Sequence, residues 1–269
     1  MLARDVRAEQ SGDFYQSFDV IIATDLDFLS LTTLNAGARV AQRPFYAGAV
    51  HGLYGYIFAD LGTHDFVIQR EKSNRPTTVA PETATRSVVD FKDKIENGKK
   101  IELVTKRELY TPLLLVNSSP LPPDMQKNAR KLRKVHPLLT CIRTLWEYQR
   151  EGRGPEPAHT PADLQLFTTL AMEKHKELKL PPNTLTAEFL KSFLSNIGSE
   201  LSPVSAFLGG QLAQDVINVL GKREQPIQNL MLFDAEECEG PVYALHPIFL
   251  DNPIPPMPIL PVDPTVVVV

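Results

Sequence analysis

Hydrophobic and polar positions are most regularly patterned in residues 18–72. Residues 19–23 form a short apolar, β-branched run, which predicts a strand buried on both faces. Apolar side chains then recur at three- and four-residue steps in residues 28–41, which places them on one face of a helix. Arg43-Pro44 ends this helix, because the residue before a proline is pushed out of helical space. The pattern therefore predicts a buried strand followed by an amphipathic helix.

The next residues predict further strands. Residues 45–50 and 56–61 are rich in aromatic and β-branched side chains, and the short segment 51–55 between them reads as a tight connection. A third apolar run follows at residues 66–68. The order strand, helix, strand and then antiparallel additions is typical of the later part of a doubly wound sheet. We therefore predict the α/β fold class.

Strong patterning returns in residues 201–246. Ser202-Pro203 predicts an N-cap followed by proline at the first helical position, and Gly221 fits the position just past the helix end. Gly209-Gly210 lies inside this helix, where each glycine costs about 1 kcal/mol relative to alanine. Such a cost indicates the close approach of another backbone. Two short apolar runs after the helix predict two closing strands.

The remaining segments are less regular. Residues 73–100 are polar, charged and contain proline, which predicts a mobile linker with a short helix. The apolar runs 101–104 and 113–116 are each candidates for rejoining the sheet. Residues 124–200 carry three helical patterns and predict a small helical module. Residues 247–269 are dense in proline, which predicts disorder or an extended polyproline conformation.

The composition of the chain argues against several classes of partner and of cellular location. The net charge of −4 gives no reason to expect nucleic-acid binding, and no apolar run is long enough to span a bilayer. The start of the chain is charged and polar, so we expect no signal peptide. Cys141 and Cys238 are far apart and fit no paired zinc pattern, which predicts a reducing compartment without a disulfide framework.

Two stretches carry a resemblance to a known family. TDLDFLSLTTLNAGAR and RPFYAGAVHGLYGYIFADL look like the ThiF/MoeB/ubiquitin-activating superfamily, and more narrowly like the small subunits of heterodimeric SUMO-activating enzymes. VHGLYGYIFADLGTHDF is the most specific part. The C-terminal stretch SPVSAFLGGQLAQDVINVLGKREQPIQNLMLFD looks similar to the same family. The resemblance covers residues 14–75 and 198–246 well and the middle loosely.

The resemblance implies a partial doubly wound, Rossmann-like sheet of the ThiF type with a helical insert. It divides the chain into the later part of the adenylation fold (1–75), a linker with returning strands (76–117), the helical insert (118–200), the closing helix and strands (201–246) and a disordered proline-rich tail (247–269).

In that family the adenylation fold begins with a strand, a glycine-rich turn and a helix whose backbone N–H groups hold the ATP phosphates. The sequence has no G-x-G-x-x-G after a strand. Gly48 lies in a predicted strand, Gly52 and Gly55 lie in the connection after it, and no helix follows them, so turn and packing roles are expected. We therefore expect the chain to lack the N-terminal third of the fold. The family's N-terminal arginine, which reaches into the partner's ATP site, would lie upstream of Met1.

Asp25 and Asp27 are the best candidates for ligand chemistry. Thr24-Asp25 follows the first predicted strand, and open α/β sheets bind ligands at the carboxyl ends of their strands. The resemblance implies an aspartate near the Mg²⁺ and phosphates of ATP at this position, but the usual asparagine after it is Leu26 and the expected arginine on the next helix is missing. We therefore expect these aspartates to belong to a vestigial nucleotide site or to cap a helix, and Asp27 or Ser30 could cap the start of the helix that follows.

We expect ordinary structural roles for the histidines and cysteines. His51 and His64 have no partners at metal spacing, so we expect ordinary hydrogen-bonded histidines and no metal site. Cys141 lies among apolar helix residues and Cys238 among acidic residues, and both settings disfavour a thiolate nucleophile. We expect no catalytic residue in this chain. A basic cluster is either a solvated helix face or a nuclear-import patch; its members are Lys127, Arg130, Lys131, Arg133 and Lys134.

A group on the C-terminal helix is a candidate contact with a partner subunit, although packing within the same chain explains it nearly as well. Its members are Gly209, Gly210, Gln211, Gln214 and Asp215.

The resemblance implies a regulatory subunit of an enzyme that adenylates the SUMO C-terminus with ATP and passes it to a cysteine of the large partner subunit. Mg-ATP would be bound by that large subunit, so we expect no cofactor on this chain alone, no independent catalysis, only indirect contact with SUMO, and a location in the nucleus or also the cytoplasm. Three alternatives stay open: a regulatory subunit of a NEDD8-type activating enzyme, a MoeB-like adenylyltransferase, or an inactive scaffold fragment.

Overall fold

The computed structural model describes residues 12–250 apart from residues 75 and 159. Its helices are α1 (Gly12–Gln16), α2 (Phe28–Val40), α3 (Leu113–Val116), α4 (Pro123–Gln126), α5 (Ala129–Leu132), α6 (Leu138–Arg150), α7 (Pro161–Glu177), α8 (Ala187–Asn196) and α9 (Ser202–Gly221). Its strands are β1 (Ile21–Thr24), β2 (Phe45–His51), β3 (Tyr54–Asp60), β4 (Thr63–Glu71), β5 (Arg86–Glu96), β6 (Lys99–Leu109), β7 (Leu230–Asp234) and β8 (Val242–Tyr243). Short 3₁₀ turns cover Pro182–Thr184 and Pro247–Phe249.

A five-stranded sheet in the order β1-β2-β3-β7-β8 forms the centre of the structure. β1 and β2 are parallel and joined through α2, as in a doubly wound sheet, whereas the remaining neighbours are antiparallel. The combination of a mixed sheet with packed helices confirms the predicted α/β class.

The two faces of this sheet are covered by different helices. One face packs Phe45, Tyr56 and Phe58 against α2 and the helices α6 to α8, and the other packs Tyr46 and Ile57 against α9. All seven residues of β3 are buried, because both of its faces are covered. This double cover explains why the strand reads as a nearly continuous apolar run.

β1 differs from its prediction as a strand buried on both faces. Ala23 is buried, but Ile22 is half exposed and Thr24 is exposed. Among the described strands only β2 pairs with β1, so β1 lies at the edge of the sheet. An apolar, β-branched run predicts a strand well, but it does not say how many neighbours the strand has.

The prediction of a mobile linker over residues 73–100 is wrong from Arg86 onward. β5 and β6 form a long hairpin that pairs with β4 in a separate three-stranded antiparallel sheet. The hairpin turns at Asn97-Gly98, where both residues have positive φ (51° and 74°), the geometry of a two-residue type I′ turn.

Exposure explains why this hairpin was missed. Residues 90–95 are exposed, so that part of β5 shows no apolar face. Cross-strand ion pairs such as Lys99–Glu71 and Arg107–Asp65 run along the second sheet instead, and a charged, polar run of this kind also looks like a linker. The run 101–104 joins this second sheet as part of β6, and the run 113–116 is helical in α3.

The predicted helical module is present as α6, α7 and α8, preceded by the short α4 and α5. α6 is buried along nearly its whole length because it lies between the sheet side and the other helices of the module. Arg143 of α6 is fully buried, and its guanidinium donates to the carbonyl oxygens of Val116, the last residue of α3, and of Ser119, three residues further on. This contact fixes the module against the segment that leaves the second sheet.

The ends of α9 differ from prediction by one residue. Leu201 rather than Ser202 is the N-cap, and Lys222 rather than Gly221 takes the left-handed C-cap conformation (φ 51°). The carbonyl of Lys222 accepts a hydrogen bond from the Val67 N–H of β4 at 3.0 Å. The contact with β4 therefore fixes where the helix ends.

Only the first residues of the predicted proline-rich tail are described. Residues 247–249 form a 3₁₀ turn in which Phe249 is buried, whereas residues 251–269 lie outside the described part of the chain. Within the described residues, no helix is both long and apolar enough to cross a membrane.

A buried carboxylate joins the two sheets. Asp60, the last residue of β3, accepts hydrogen bonds from the Asn35 side chain at 2.8 Å, from Arg39 at 2.6 Å and from the Gly62 N–H at 3.0 Å. Asn35 in turn accepts from the Leu113 N–H at 2.8 Å. Arg39 also donates to the Tyr110 carbonyl, just beyond β6.

We predict that Asp60→Ala lowers the free energy of unfolding by about 2–3 kcal/mol, because the buried Asn35 amide and the Gly62 N–H lose their acceptor. Urea unfolding at neutral pH measures this change. Asp93→Ala is the matched control, since it removes an exposed carboxylate that pairs with Lys72, and it should change stability by about 0.5 kcal/mol or less. Equal losses for the two variants would contradict the role assigned to Asp60.

Candidate functional site

A cavity of about 360 Å³ lies at the carboxyl ends of β1 and β2. This edge is where ligands bind in open α/β sheets. The lining residues come from the β1–α2 connection, from the end of β2, from β3, from α6 and the segment after it, and from the segment between α8 and α9. They are Asp25, Leu26, Asp27, Ala49, Val50, His51, Tyr56, Leu145, Trp146, Gln149, Pro155, Glu156, Ile197, Gly198, Ser199 and Glu200.

Asp25, the predicted site residue, lines this cavity directly after β1. Its backbone is left-handed (φ 52°), and its N–H donates to the Gly48 carbonyl at 3.1 Å. Burial raises the pKa of the Asp25 carboxyl, a hydrogen bond from the Val50 N–H opposes this, and the charge of Glu200 raises the pKa further. The structure thus brings Asp25 together with a second carboxylate that the sequence gave no reason to place beside it.

Asp27, not Asp25, caps α2. Its carboxylate accepts from the Ser30 N–H at 3.0 Å and from the Ser30 hydroxyl at 2.7 Å. Burial works against the charged form, but these hydrogen bonds outweigh it and lower the pKa of Asp27. An ionised carboxylate therefore occupies the N-terminus of the helix that faces the cavity.

Two residues of the helical module belong to the site although the sequence did not single them out for it. Gln149 accepts a hydrogen bond from the Phe28 N–H at 2.9 Å, and Trp146 stacks on the Phe28 ring at 5.7 Å. Both lie on α6, more than 100 residues from β1. Their helical periodicity predicted only a packed face, so no local signal could have placed them beside Asp25.

The cavity is negatively charged. Asp25, Asp27, Glu156 and Glu200 line it, and none of its described lining residues is Lys or Arg. Burial lowers the pKa of His51 to about 4, so this ring is neutral at pH 7. Phosphate groups would be repelled by such a lining, because nothing in it compensates their charge.

The two histidines considered as ligands, His51 and His64, lie in different parts of the structure. No group of three or more metal-ligating side chains occurs in the described part of the chain. His51 lines the cavity and has a buried Nδ1 without a hydrogen-bond partner. His64 lies at the start of β4, outside that lining, and stacks on Phe66.

The two cysteines lie apart from the cavity. Cys141 is fully buried in α6, and burial raises the pKa of its thiol. Cys238 is exposed in the turn after β7, and its Sγ lies 3.6 Å from the Ala235 carbonyl.

The predicted partner-contact group on α9 splits into two parts. Gly209, Gly210, Gln211 and Gln214 are exposed, and no atom lies within 4 Å of a Cβ built on either glycine. The close backbone approach inferred for the glycine pair is therefore not made by the described residues. Asp215 is buried and lies on the inner side of the helix.

Asp215 has an internal role. Its carboxylate accepts from the Tyr46 hydroxyl at 2.7 Å and from the Ile227 N–H at 2.9 Å. Burial raises the pKa of Asp215, while these two hydrogen bonds oppose the rise. Asp215 thus fixes α9 to β2 and to the segment that leads into β7.

The exposed side of α9 combines large apolar side chains with two glycines. Ile217 is 63% exposed, and Phe207 and Leu220 are also exposed large apolar residues. Together with Gly210 and Gln214 they recur at three- and four-residue steps, so they belong to the outward side of the helix. We call this surface the outer face of α9.

A second cavity, of about 600 Å³, lies where the helical module meets β7. In it the His136 Nε2 atom lies 3.2 Å from the Asp234 carboxylate, and Arg133 and Lys134 of the basic cluster lie on its rim with Glu236 and other acidic residues. The basic residues are exposed, and one of them, Lys131, pairs with Asp124. Mixed charge of this kind does not favour one class of ligand.

Gly52 lies next to His51, one of the residues that line the first cavity. It has φ 61°, its N–H donates to the Ser199 carbonyl at 2.7 Å, and the next N–H, of Leu53, donates to the Asn196 side chain at 3.1 Å. A Cβ on Gly52 would lie 1.9 Å from the Asn196 Oδ1. The turn therefore requires glycine both for its conformation and for its space, as expected for a turn glycine.

This chain is similar over most of its length to several known proteins. It is 29% identical to DNA damage tolerance protein RHC31 of Saccharomyces cerevisiae over 242 residues, which cover 87% of this chain and 67% of that protein. It is 28% identical to SUMO-activating enzyme subunit 1 of Xenopus tropicalis (88% of this chain, 66% of the relative) and 28% identical to DNA damage tolerance protein rad31 of Schizosaccharomyces pombe (85% and 61%). The chain thus spans about two thirds of the length of these relatives or slightly less. No family model matches it.

We predict that Gly52→Ala lowers the free energy of unfolding by about 1–2 kcal/mol more than Gly152→Ala does. Both glycines have similar positive φ (61° and 70°), but nothing lies within 4 Å of a Cβ on Gly152, so the difference isolates the collision with Asn196. Chemical unfolding of the two variants and the parent chain measures it. Equal destabilisation would show that the contact with Asn196 does not restrict this position.

Proposed function

We propose that this chain, a homologue of SUMO-activating enzyme subunit 1, acts as the small regulatory subunit of a SUMO-activating enzyme. The observation that carries the proposal is the similarity to these relatives over more than four fifths of the chain. The family resemblance of its two most patterned stretches supports the same reading.

We propose that the assembled enzyme joins the C-terminus of SUMO to the AMP moiety of ATP and then passes it to a cysteine, with both reactive groups supplied by the large subunit. The cavity at the sheet edge of this chain does not suit the phosphates of Mg-ATP. The cavity at the sheet edge carries four carboxylates and no Lys or Arg among its described lining residues. An anionic ligand would therefore find no compensating charge there.

The cysteines of this chain support a non-catalytic role. A thioester needs an accessible thiolate, and the Cys141 thiol is fully buried. Cys238 is exposed, but no basic group is bonded to its sulfur among the described contacts. We therefore assign the acyl-accepting cysteine to the large partner subunit.

The outer face of α9 is the surface that we assign to the partner subunit. Its exposed apolar side chains and its two open glycines leave room for a second chain to approach closely. Asp215 is excluded from this contact, because it is bonded internally to Tyr46 and Ile227.

We also propose that the protein acts in the nucleus. The basic cluster of residues 127–134 is exposed, which would make it accessible to an import receptor.

We predict that the purified chain alone shows no ATP–pyrophosphate exchange above background and forms no thioester with SUMO, because the described cavity has no cation to hold ATP phosphates and no basic group is bonded to the exposed Cys238 among the described contacts. Mixing it with a cysteine-bearing large subunit tests the proposal itself. Co-purification together with a gain in SUMO adenylation supports a regulatory subunit. Co-purification without any gain supports an inactive scaffold instead, and exchange by the isolated chain contradicts both.

We predict that Ile217→Glu weakens binding to the large subunit about tenfold or more, because it places a charge in an apolar contact. Met172→Glu is the matched control, since Met172 is also 63% exposed on a helix, α7, but lies away from α9. Affinity measured with the purified subunits separates the two variants. The same loss in both, or in neither, would remove the outer face of α9 from the interface.

A further inference from the structure

We propose that β1 binds an extended segment of another protein along its open side, which is the long side of the strand that does not face β2. The segment that fits carries apolar side chains at alternate positions and a basic residue at each end. This docking site goes beyond the proposed role as a subunit and does not depend on it.

The first step is the backbone of β1. The N–H groups of Ile21 and Asp25 donate to carbonyls of the neighbouring β2 segment at 2.9 and 3.1 Å, so these residues face β2. Successive residues of a strand point their backbone groups to opposite sides, so Ile22 and Thr24 face the open side. No strand of the described residues pairs with that side. Two N–H groups and two carbonyls are therefore available to an added strand.

The second step is a comparison with the other outer strands of the two sheets, which are protected against added strands. β8 has only two residues and follows Pro241. β5 has a bulge after Val88 and mostly charged side chains over residues 90–96. The outer side of β4 is paired in part by residues 222–224. β1 has no charge, proline or bulge in its four residues, and other chains add to edges of this unprotected kind.

The third step is the apolar surface around β1. Ile22 of the strand is 50% exposed, and the chain on either side of β1 exposes four more large apolar side chains. They are Phe14 and Phe18 before the strand and Leu26 and Leu29 after it. The rings of Phe14 and Phe18 contact each other with centroids 5.1 Å apart. Exposed apolar side chains gathered near an open strand indicate an interaction surface, and a segment with alternating apolar side chains suits it.

The fourth step is charge, which selects the kind of segment. Residues 14–38 contain three aspartates and no Lys or Arg, and the exposed Asp19 and Asp25 flank β1. A second copy of this chain would meet repulsion, because Asp19 of one copy lies opposite Asp25 of the other in an antiparallel pair centred on Ile22. A segment with Lys or Arg at its ends meets opposite charge at both ends of β1 instead.

The probe is the capped peptide acetyl-Lys-Val-Thr-Val-Thr-Val-Lys-amide, and the readout is amide hydrogen exchange in the full chain measured by NMR. Saturating peptide should slow exchange of the Ile22 and Thr24 N–H groups about tenfold or more, because both become hydrogen-bond donors to the added strand. The Ile21 and Asp25 N–H groups are already bonded within the chain, so their exchange should change less.

Two control peptides separate the contributions of charge and backbone. Replacing both lysines by glutamate should raise the dissociation constant about threefold to tenfold, the range for two exposed ion pairs. Replacing the central valine by proline should abolish the protection, because proline removes a donor and does not continue a strand pair.

Two variants of the chain test the strand itself. Thr24→Pro removes an N–H group on the open side while leaving the bonds to β2, so it should abolish the protection of Ile22. Ile22→Lys should weaken binding of the basic peptide about tenfold, because it adds a repelling charge and removes an apolar contact, and it keeps the test valid if Thr24→Pro folds poorly. Ile95→Lys is the matched control, since Ile95 is also exposed on an outer strand, β5, and it should leave the dissociation constant unchanged.

Three results would overturn the proposal. One is the absence of protection by the basic peptide, and another is equal protection by the proline peptide. The third is equal affinity of the parent chain and Ile22→Lys for the basic peptide. A dimer of the full chain that Thr24→Pro disrupts would show that a second copy occupies β1, and it would also overturn the assignment to a basic segment. Because the isolated chain is used, none of these results bears on assembly with a large subunit.

Discussion

The carboxylate of Asp60 holds together parts of the chain that would otherwise have little contact. It lies where β3 leaves the first sheet and the chain turns into β4 of the second. Through Asn35 and Arg39 it binds α2, and through those same residues it reaches the backbone at Leu113 and Tyr110 beyond β6. A single buried group thus fixes the helix after β1, the end of β3 and the exit of the second sheet relative to one another.

The cavity lies at the opposite edge of the first sheet, since Asp60 pairs with Phe45 at the start of β2 and the cavity lies near His51 at its end. Its floor is the carboxyl edge of β1 and β2, but its walls come from α6 and from the loop that follows α8. Gln149 of α6 links the helical module to α2, because its side-chain oxygen accepts a hydrogen bond from the Phe28 N–H at the start of α2. The helical module therefore does more than fill one side of the sheet, because it closes the edge at which a doubly wound fold presents its ligands.

The elements predicted correctly are those whose burial leaves a pattern in the sequence. β2, β3, α2 and α9 are covered on at least one face, and their apolar side chains repeat with the period of the element. The hairpin of β5 and β6 carries no such pattern, because much of it is exposed and is held by cross-strand ion pairs.

Only part of the candidate site could be predicted from the sequence. Asp25 could be placed at the ligand-binding edge, because the end of a strand is visible in the sequence. Glu156, Glu200 and Trp146 could not be placed there, because only the packing of the helical module brings them to β1. The negative charge of the cavity is thus a property of the tertiary structure that no local stretch reveals.

The pairing of β3 with β7 sets the order in which the molecule can form. Tyr54 lies opposite Asp234, so the centre of the first sheet closes between segments separated by most of the chain, whereas β5 and β6 meet across a two-residue turn. Closing a long loop costs more entropy than closing a short one, and distant contacts form slowly. During synthesis on the ribosome, the second sheet can therefore assemble while β3 still waits, with one edge unpaired, for the last part of the polypeptide to emerge.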